Sequence, residues 1–386
     1  RAERHLGWLY LRKSDYFHAA RSFSRAAGLA AELLAQNRGA LSAGGSTAAF
    51  ASMRDALEEK HHASFWRAYS LAQTKEQNSA GPQKGARSAG ELSAELMQEQ
   101  PYGYYALLAQ HKGLLAPQSD GALPQGTSMA RPEECLAQIA EPLSASLENL
   151  HAAGLDDHTG HEIEWHFAQS AQEQLSYVRR MLTRAQLYER FSRIRKGIAL
   201  SNELLQPAQW TPAAVEELES CRPYILAISY PRPYAALFEK SAAEHRLPPA
   251  LLYAVARTES YFDAQARSHK NALGLMQLLP ETAEAEGLKP GDDLMVPEIN
   301  IHLGAKHLAR LIAAKGSIEH ALAAYNAGSA AAERWKTRFP GISTEMWTEL
   351  IGYPETKNYV KKVLQAQYIY ESQLAGQNSK QLSSTQ

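Results

Sequence analysis

The chain has 386 residues, 45% of them hydrophobic, and its 40 Lys and Arg nearly balance its 41 Asp and Glu, for a formal net charge of −1. That length calls for more than one core, and the charge balance argues against a nucleic-acid partner held on a broad basic surface. No apolar run approaches the roughly 18 residues of a membrane span.

The chain opens on RAERHLGWLYL, with neither an initiator Met nor a signal-peptide core, so it reads as a mature or trimmed piece. Residues 1–225 are rich in Ala, Leu, Glu, Gln and Arg with almost no β-branched runs, which predicts successive helices. Leu6, Gly7, Tyr10, Ala19, Phe23 and Ala26 have the spacing of a tetratricopeptide-type helix pair with a turn near Lys13–Asp15. An irregular helical superhelix is therefore expected for this region. Two polar, Gly-, Pro- and Ser-rich stretches, residues 74–91 and 116–132, read as connections. Tyr102, Tyr104 and Tyr105 between them suit a core better than a groove.

Asp156, Asp157, His158, His161, Glu162 and His166 crowd together but do not make a metal motif. His161 and His166 are five residues apart, about 140° around a helix, whereas HExxH ligands share a face at i and i+4. The cysteines Cys135 and Cys221 lack CxxC spacing, which leaves their pairing and the redox compartment open. Near residue 222 the stretch CRPYILAISYPRPY, with three prolines, predicts an extended connection into a second domain spanning 226–373. Residues 374–386 read as a flexible tail.

The second domain holds the stretch that looks built for chemistry. Pro248 and Pro249 suit the first turn of a helix, and Leu252, Val255 and Glu259 then fall on one stripe at i, i+3 and i+7. A carboxyl facing a core keeps its proton longer, as a general acid near neutral pH requires. The structural alternative is a helix-end glutamate paired with Arg257 or with a backbone group.

Five short motifs follow in fixed order: ARTES with Glu259, GLMQLLPETA at 274–283, VPEINIHLGAKHL at 296–308, AAYNAG at 323–328 and ETKNYVKKV at 355–363. Together they resemble the catalytic domain of soluble lytic transglycosylases, and the helical region in front resembles the superhelical part of those enzymes. The resemblance implies a mainly α protein, a superhelix followed by a lysozyme-like, mostly helical catalytic domain. It implies cleavage of the β-1,4 bond between N-acetylmuramic acid and N-acetylglucosamine in peptidoglycan, leaving a 1,6-anhydromuramoyl end.

Glu259 then matches the catalytic acid, acting next as the base. Ser268, Gly274, Met276, Gln277, Tyr325, Asn326, Glu355 and Tyr359 match substrate-binding positions. Asp263, one turn past Glu259, is read as structural, and no cofactor and no metal is implied. The partner is the peptidoglycan strand, with cell-wall synthases a further one and no nucleic acid. The location is periplasmic, with room for outer-membrane attachment through a lipid anchor upstream. Leu279, Lys357 and Pro354 depart from the family pattern and bear on fine specificity. A hydrolytic goose-type lysozyme and a non-catalytic glycan-binding scaffold are the alternatives.

Overall fold

The computed structural model describes residues 2–42, 47–77, 87–114, 135–136, 141–169, 176–191, 193–205 and 212–383. The described residues form helices joined by turns, with only two isolated bridges, Arg267 to Leu273 and Leu273 to Leu278, in place of a sheet. The all-helical class read from composition is what folds. These residues fall into two compact units, the first carrying five helices and the second all that follow.

The first unit contains α1 (Ala2–Arg12), α2 (Tyr16–Ser42), α3 (Thr47–Gln77), α4 (Ala89–Glu99) and α5 (Tyr104–His111). The α1–α2 turn falls at the expected Lys13–Asp15. Phe23 and Ala19 are fully buried, and a Cβ on Gly7 would stand 2.8 Å from the Phe23 ring, so the small residue at 7 lets the two helices close. Leu6 of the same motif is left on the surface. Trp8 and Trp66 meet edge to face at 4.7 Å, and Tyr102 and Tyr104 are buried, as core aromatics. Residues 116–132, and residues 78–86 of the stretch 74–91, lie outside the described residues.

The second unit begins with α6 (Glu141–Ala152), α7 (Asp156–Gln169), α8 (Tyr177–Arg190) and α9 (Ile194–Leu204). Leu147, Ile163, Leu187, Tyr188 and Phe191 form their common core. The acidic and histidine-rich segment lies on α7, where Glu164 meets Lys196 at 2.7 Å and Tyr188 at 3.1 Å, and Asp157 pairs with Arg193. Next comes α10 (Pro212–Ser229), which corrects the expected extended connection. The helix passes through Pro223, and the tertiary burial of Ile225 and Ile228 outweighs the lost backbone bond. It stops before Pro231, and the expected boundary at 225/226 falls inside it. Cys135 and Cys221 form a disulfide with Cα atoms 5.5 Å apart, resolving a pairing that the sequence left open.

The remaining helices are α11 (Ala235–His245), α12 (Pro249–Ser260), α13 (Pro280–Glu286), α14 (Pro297–Lys315), α15 (Ile318–Ala327), α16 (Ser329–Arg338), α17 (Thr344–Glu349) and α18 (Pro354–Ser383). Helix α18 continues through most of the segment expected as a tail. The centre is α12, buried on every side from Ala250 to Arg257 and packed along α18. Its Tyr253 lies among Phe238, Phe262 and Tyr370, and the Tyr370 hydroxyl donates to the Pro231 carbonyl at 2.9 Å.

Candidate active site

Glu259 is the next-to-last residue of α12, and the chain leaves the helix in an unusual way. Tyr261 and Phe262 both take left-handed backbone angles, φ 51° and 60°, which cost non-glycine residues about 1 kcal/mol or more each. Asn271 and Gln277 do the same further along the loop. Ser260 holds this loop to the helix end by donating to the Leu275 carbonyl at 2.8 Å.

The helix-end pairing with Arg257 does not form. The Arg257 guanidinium donates to the Ser229 carbonyl and to Asn202 Oδ1, each at 2.6 Å, and lies 3.9 Å over the Tyr230 ring. Glu259 is half-buried, and desolvation of its carboxyl raises the pKa to about 7. The Tyr359 hydroxyl acts in the opposite direction, without the alignment of a full hydrogen bond. Among the described residues no other carboxylate acts on Glu259. Asp263, the nearest in sequence, accepts from the backbone of Gln265 at 2.9 Å and faces Arg195 at 3.8 Å.

Tyr325 and Tyr359 come to the acid from α15 and α18. Burial, and then the charge of Glu259, pushes both phenols well above their ordinary pKa. Tyr325 donates to the Met276 carbonyl at 2.7 Å, which fastens the loop to α15. Asn326 accepts from Thr356 at 2.7 Å, tying the end of α15 to the first turn of α18, and Glu355 beside it is exposed.

The loop residues have more internal work than the sequence suggested. Gly274 has φ 76°, and a Cβ there would meet Asn300 Nδ2 at 2.3 Å and the Leu294 carbonyl at 2.6 Å. Its missing side chain therefore makes room for Asn300 of α14 and for the Leu294 carbonyl. Met276 is fully buried, with its sulfur against Gly304, so its side chain faces the core and not a groove. Gln277 spends its amide protons on the Ala266 and Gly274 carbonyls at 3.0 and 2.9 Å, leaving Oε1 to accept. Ser268 Oγ accepts from the backbone of Lys270 and Ala272, leaving its own proton to give.

Sequence reasoning missed Asn300. Fully buried, it accepts from Met276 N at 2.7 Å and donates to the Leu273 and Leu294 carbonyls, both at 2.9 Å. Its available signal was an amide between Ile299 and Ile301 on a helix buried along that side.

The site thus gathers a glutamate of raised pKa at the end of a buried helix, with two buried tyrosines beside it, in an all-helical unit. Residues 236–347 match the transglycosylase SLT domain. The soluble lytic murein transglycosylase of Escherichia coli K12 is 32% identical over 144 residues, 35% of this chain and 22% of the relative. The chain thus spans less than a third of the curated relatives of this type that it matches.

Two solved structures share the fold. The lytic transglycosylase Slt of Pseudomonas aeruginosa, as an inactive mutant, superposes with a TM-score of 0.61 over 97% of this chain and 57% of its own, at 21% identity. The 70 kDa soluble lytic transglycosylase of E. coli gives 0.58 over 95% and 50%, also at 21% identity.

Proposed function

We propose that this protein is a peptidoglycan lytic transglycosylase in which Glu259 alone serves as acid and then base. The observation that carries the reading is a carboxyl with a pKa raised to about 7 by burial, with no second carboxylate among the described residues acting on it. A glycosidase that uses water normally needs two carboxylates flanking the bond. A solitary one suffices when the nucleophile belongs to the substrate.

In the proposed reaction Glu259 gives its proton to the glycosidic oxygen as the bond to the anomeric carbon breaks. The carboxylate then takes the proton of the muramoyl 6-hydroxyl as that oxygen bonds to the same carbon, closing the 1,6-anhydro ring without consuming water. Tyr325 and Tyr359 wall off the carboxyl from water, and that burial favours its protonated form while the Tyr359 hydroxyl works weakly against it. Gln277 Oε1, the Ser268 hydroxyl and the exposed Glu355 are the polar groups left to meet amide and hydroxyl groups of the glycan.

A periplasmic location is supported by the disulfide Cys135–Cys221, since such bonds persist in oxidising compartments. No helix among the described residues is long and apolar enough to cross a membrane. Binding of cell-wall synthases and attachment to the outer membrane rest on the family resemblance alone.

Digestion of purified peptidoglycan followed by mass analysis of the muropeptides tests the reading. Anhydromuramoyl ends are expected. Products carrying a full water would turn the assignment to a hydrolytic lysozyme, and absence of products to a glycan-binding scaffold.

A further inference from the structure

Away from Glu259, three potential metal ligands meet where the end of α11 faces α14. Glu244 and His245 close the last turn of α11, and His302 stands in the second turn of α14. One donor atom from each lies within 4.8 Å of the other two. His302 Nδ1 and Glu244 Oε2 are 3.4 Å apart. One edge of a tetrahedron with metal–ligand bonds of ~2.0–2.1 Å is about 3.3 Å, so this pair already has the required spacing.

The His245 ring stands 5.0 Å from the His302 ring, centroid to centroid, and its Nε2 is shut off from solvent with no hydrogen-bond partner. A buried ring nitrogen without a partner is costly. A salt bridge between Glu244 and His302 would account for two of the three residues, but not for the placement of the third.

We propose that Glu244, His245 and His302 form a binding site for a divalent transition cation of the zinc type. Two imidazoles and one carboxylate are the donors that zinc prefers, whereas calcium and magnesium take oxygen ligands. Three protein ligands leave a fourth position for water. The main local opposition is the ammonium of Lys306, one turn beyond His302, which donates to the Glu286 carbonyl at 2.5 Å. The site does not touch Glu259 and does not depend on glycan cleavage.

Its consequence would be mechanical. A bound ion fastens α11 to α14 two residues from Asn300, the side chain that holds the loop at Leu273, Met276 and Leu294.

Calorimetric titration of the chelator-treated, untagged chain with zinc chloride tests the proposal. The two cysteines are bonded to each other, so no thiolate competes. One site with a Kd below about 10 μM is expected, with no comparable binding of calcium or magnesium. Cobalt(II) in its place should give the visible absorption of a tetrahedral site.

Affinity should fall at least tenfold in His302→Ala and in Glu244→Gln. Glu244 is exposed, so its variant should unfold at the wild-type temperature in the absence of metal. Absence of a site below that Kd, or an equally tight site in both variants, overturns the proposal.

Discussion

The ends of α12 and α13 each carry a glutamate largely withdrawn from water, and the two carboxyls behave oppositely. Both sit at helix C-termini, where the backbone carbonyls disfavour an anion. At Glu286 burial also works against charge, but His307 Nδ1 at 2.9 Å and Arg310 Nε at 2.7 Å outweigh it, and the pKa falls below its ordinary value. At Glu259 the neighbouring cation, Arg257, is engaged elsewhere, and burial raises the pKa to about 7. The same residue type in similar helical positions is held as a charged structural anchor in one place and pushed toward its neutral form in the other. What differs is where the nearest guanidinium is spent.

The comparison can be broken most sharply by replacing the acid. Glu259→Gln keeps the shape and removes the proton, and release of anhydromuropeptides should fall roughly a thousandfold or more. Wild-type turnover in that variant would refute the assignment.

The same substitution should stabilise the fold, because ionising Glu259 is harder in the native state than in the unfolded chain. With the native pKa raised from 4.5 to about 7, wild type pays a penalty that is absent below pH 4.5, grows from there, and is complete above pH 7. Thermal unfolding should show Glu259→Gln ahead by up to about 3 kcal/mol at pH 8, and level with wild type near pH 4. Equal stability at both values would mean that the carboxyl is not desolvated.

Glu286→Gln should have the opposite sign. It strips a buried partner from His307 and Arg310, and a loss of about 2 kcal/mol in denaturant unfolding at pH 7 is expected, with the catalytic pH profile unmoved. The smallest effect belongs to Tyr359→Phe. Removing the one influence that lowers the Glu259 pKa should move the alkaline limb of the kcat/KM profile upward by a fraction of a pH unit, and a downward move would contradict the geometry.

Helical class, the first helix pair and the stripe of Leu252, Val255 and Glu259 were readable because each depends on local spacing. Arg257 was the natural local partner for Glu259, and nothing in its neighbourhood announces that Ser229 and Asn202 claim it first. Gly274 and Met276 were read outward from their motif, but motif position does not tell which way a side chain turns, and α14 takes the space beside both. Asn300 and the Glu244–His245–His302 cluster were hidden for one reason: their partners come from other elements. The course of α10 through Pro223 shows a similar limit, since the burial that carries the helix past a proline is a tertiary quantity.

The grip of Arg257 also determines where this protein can be cut. A fragment starting at residue 226 retains the whole transglycosylase-type segment and Ser229, but leaves Asn202 behind. One side of the guanidinium, lodged against the Tyr230 ring beneath the acid-bearing helix, would then lose its acceptor. The smallest well-behaved fragment should therefore begin upstream of α9, so that Asn202, distant in sequence, serves as part of the foundation under the helix that carries Glu259.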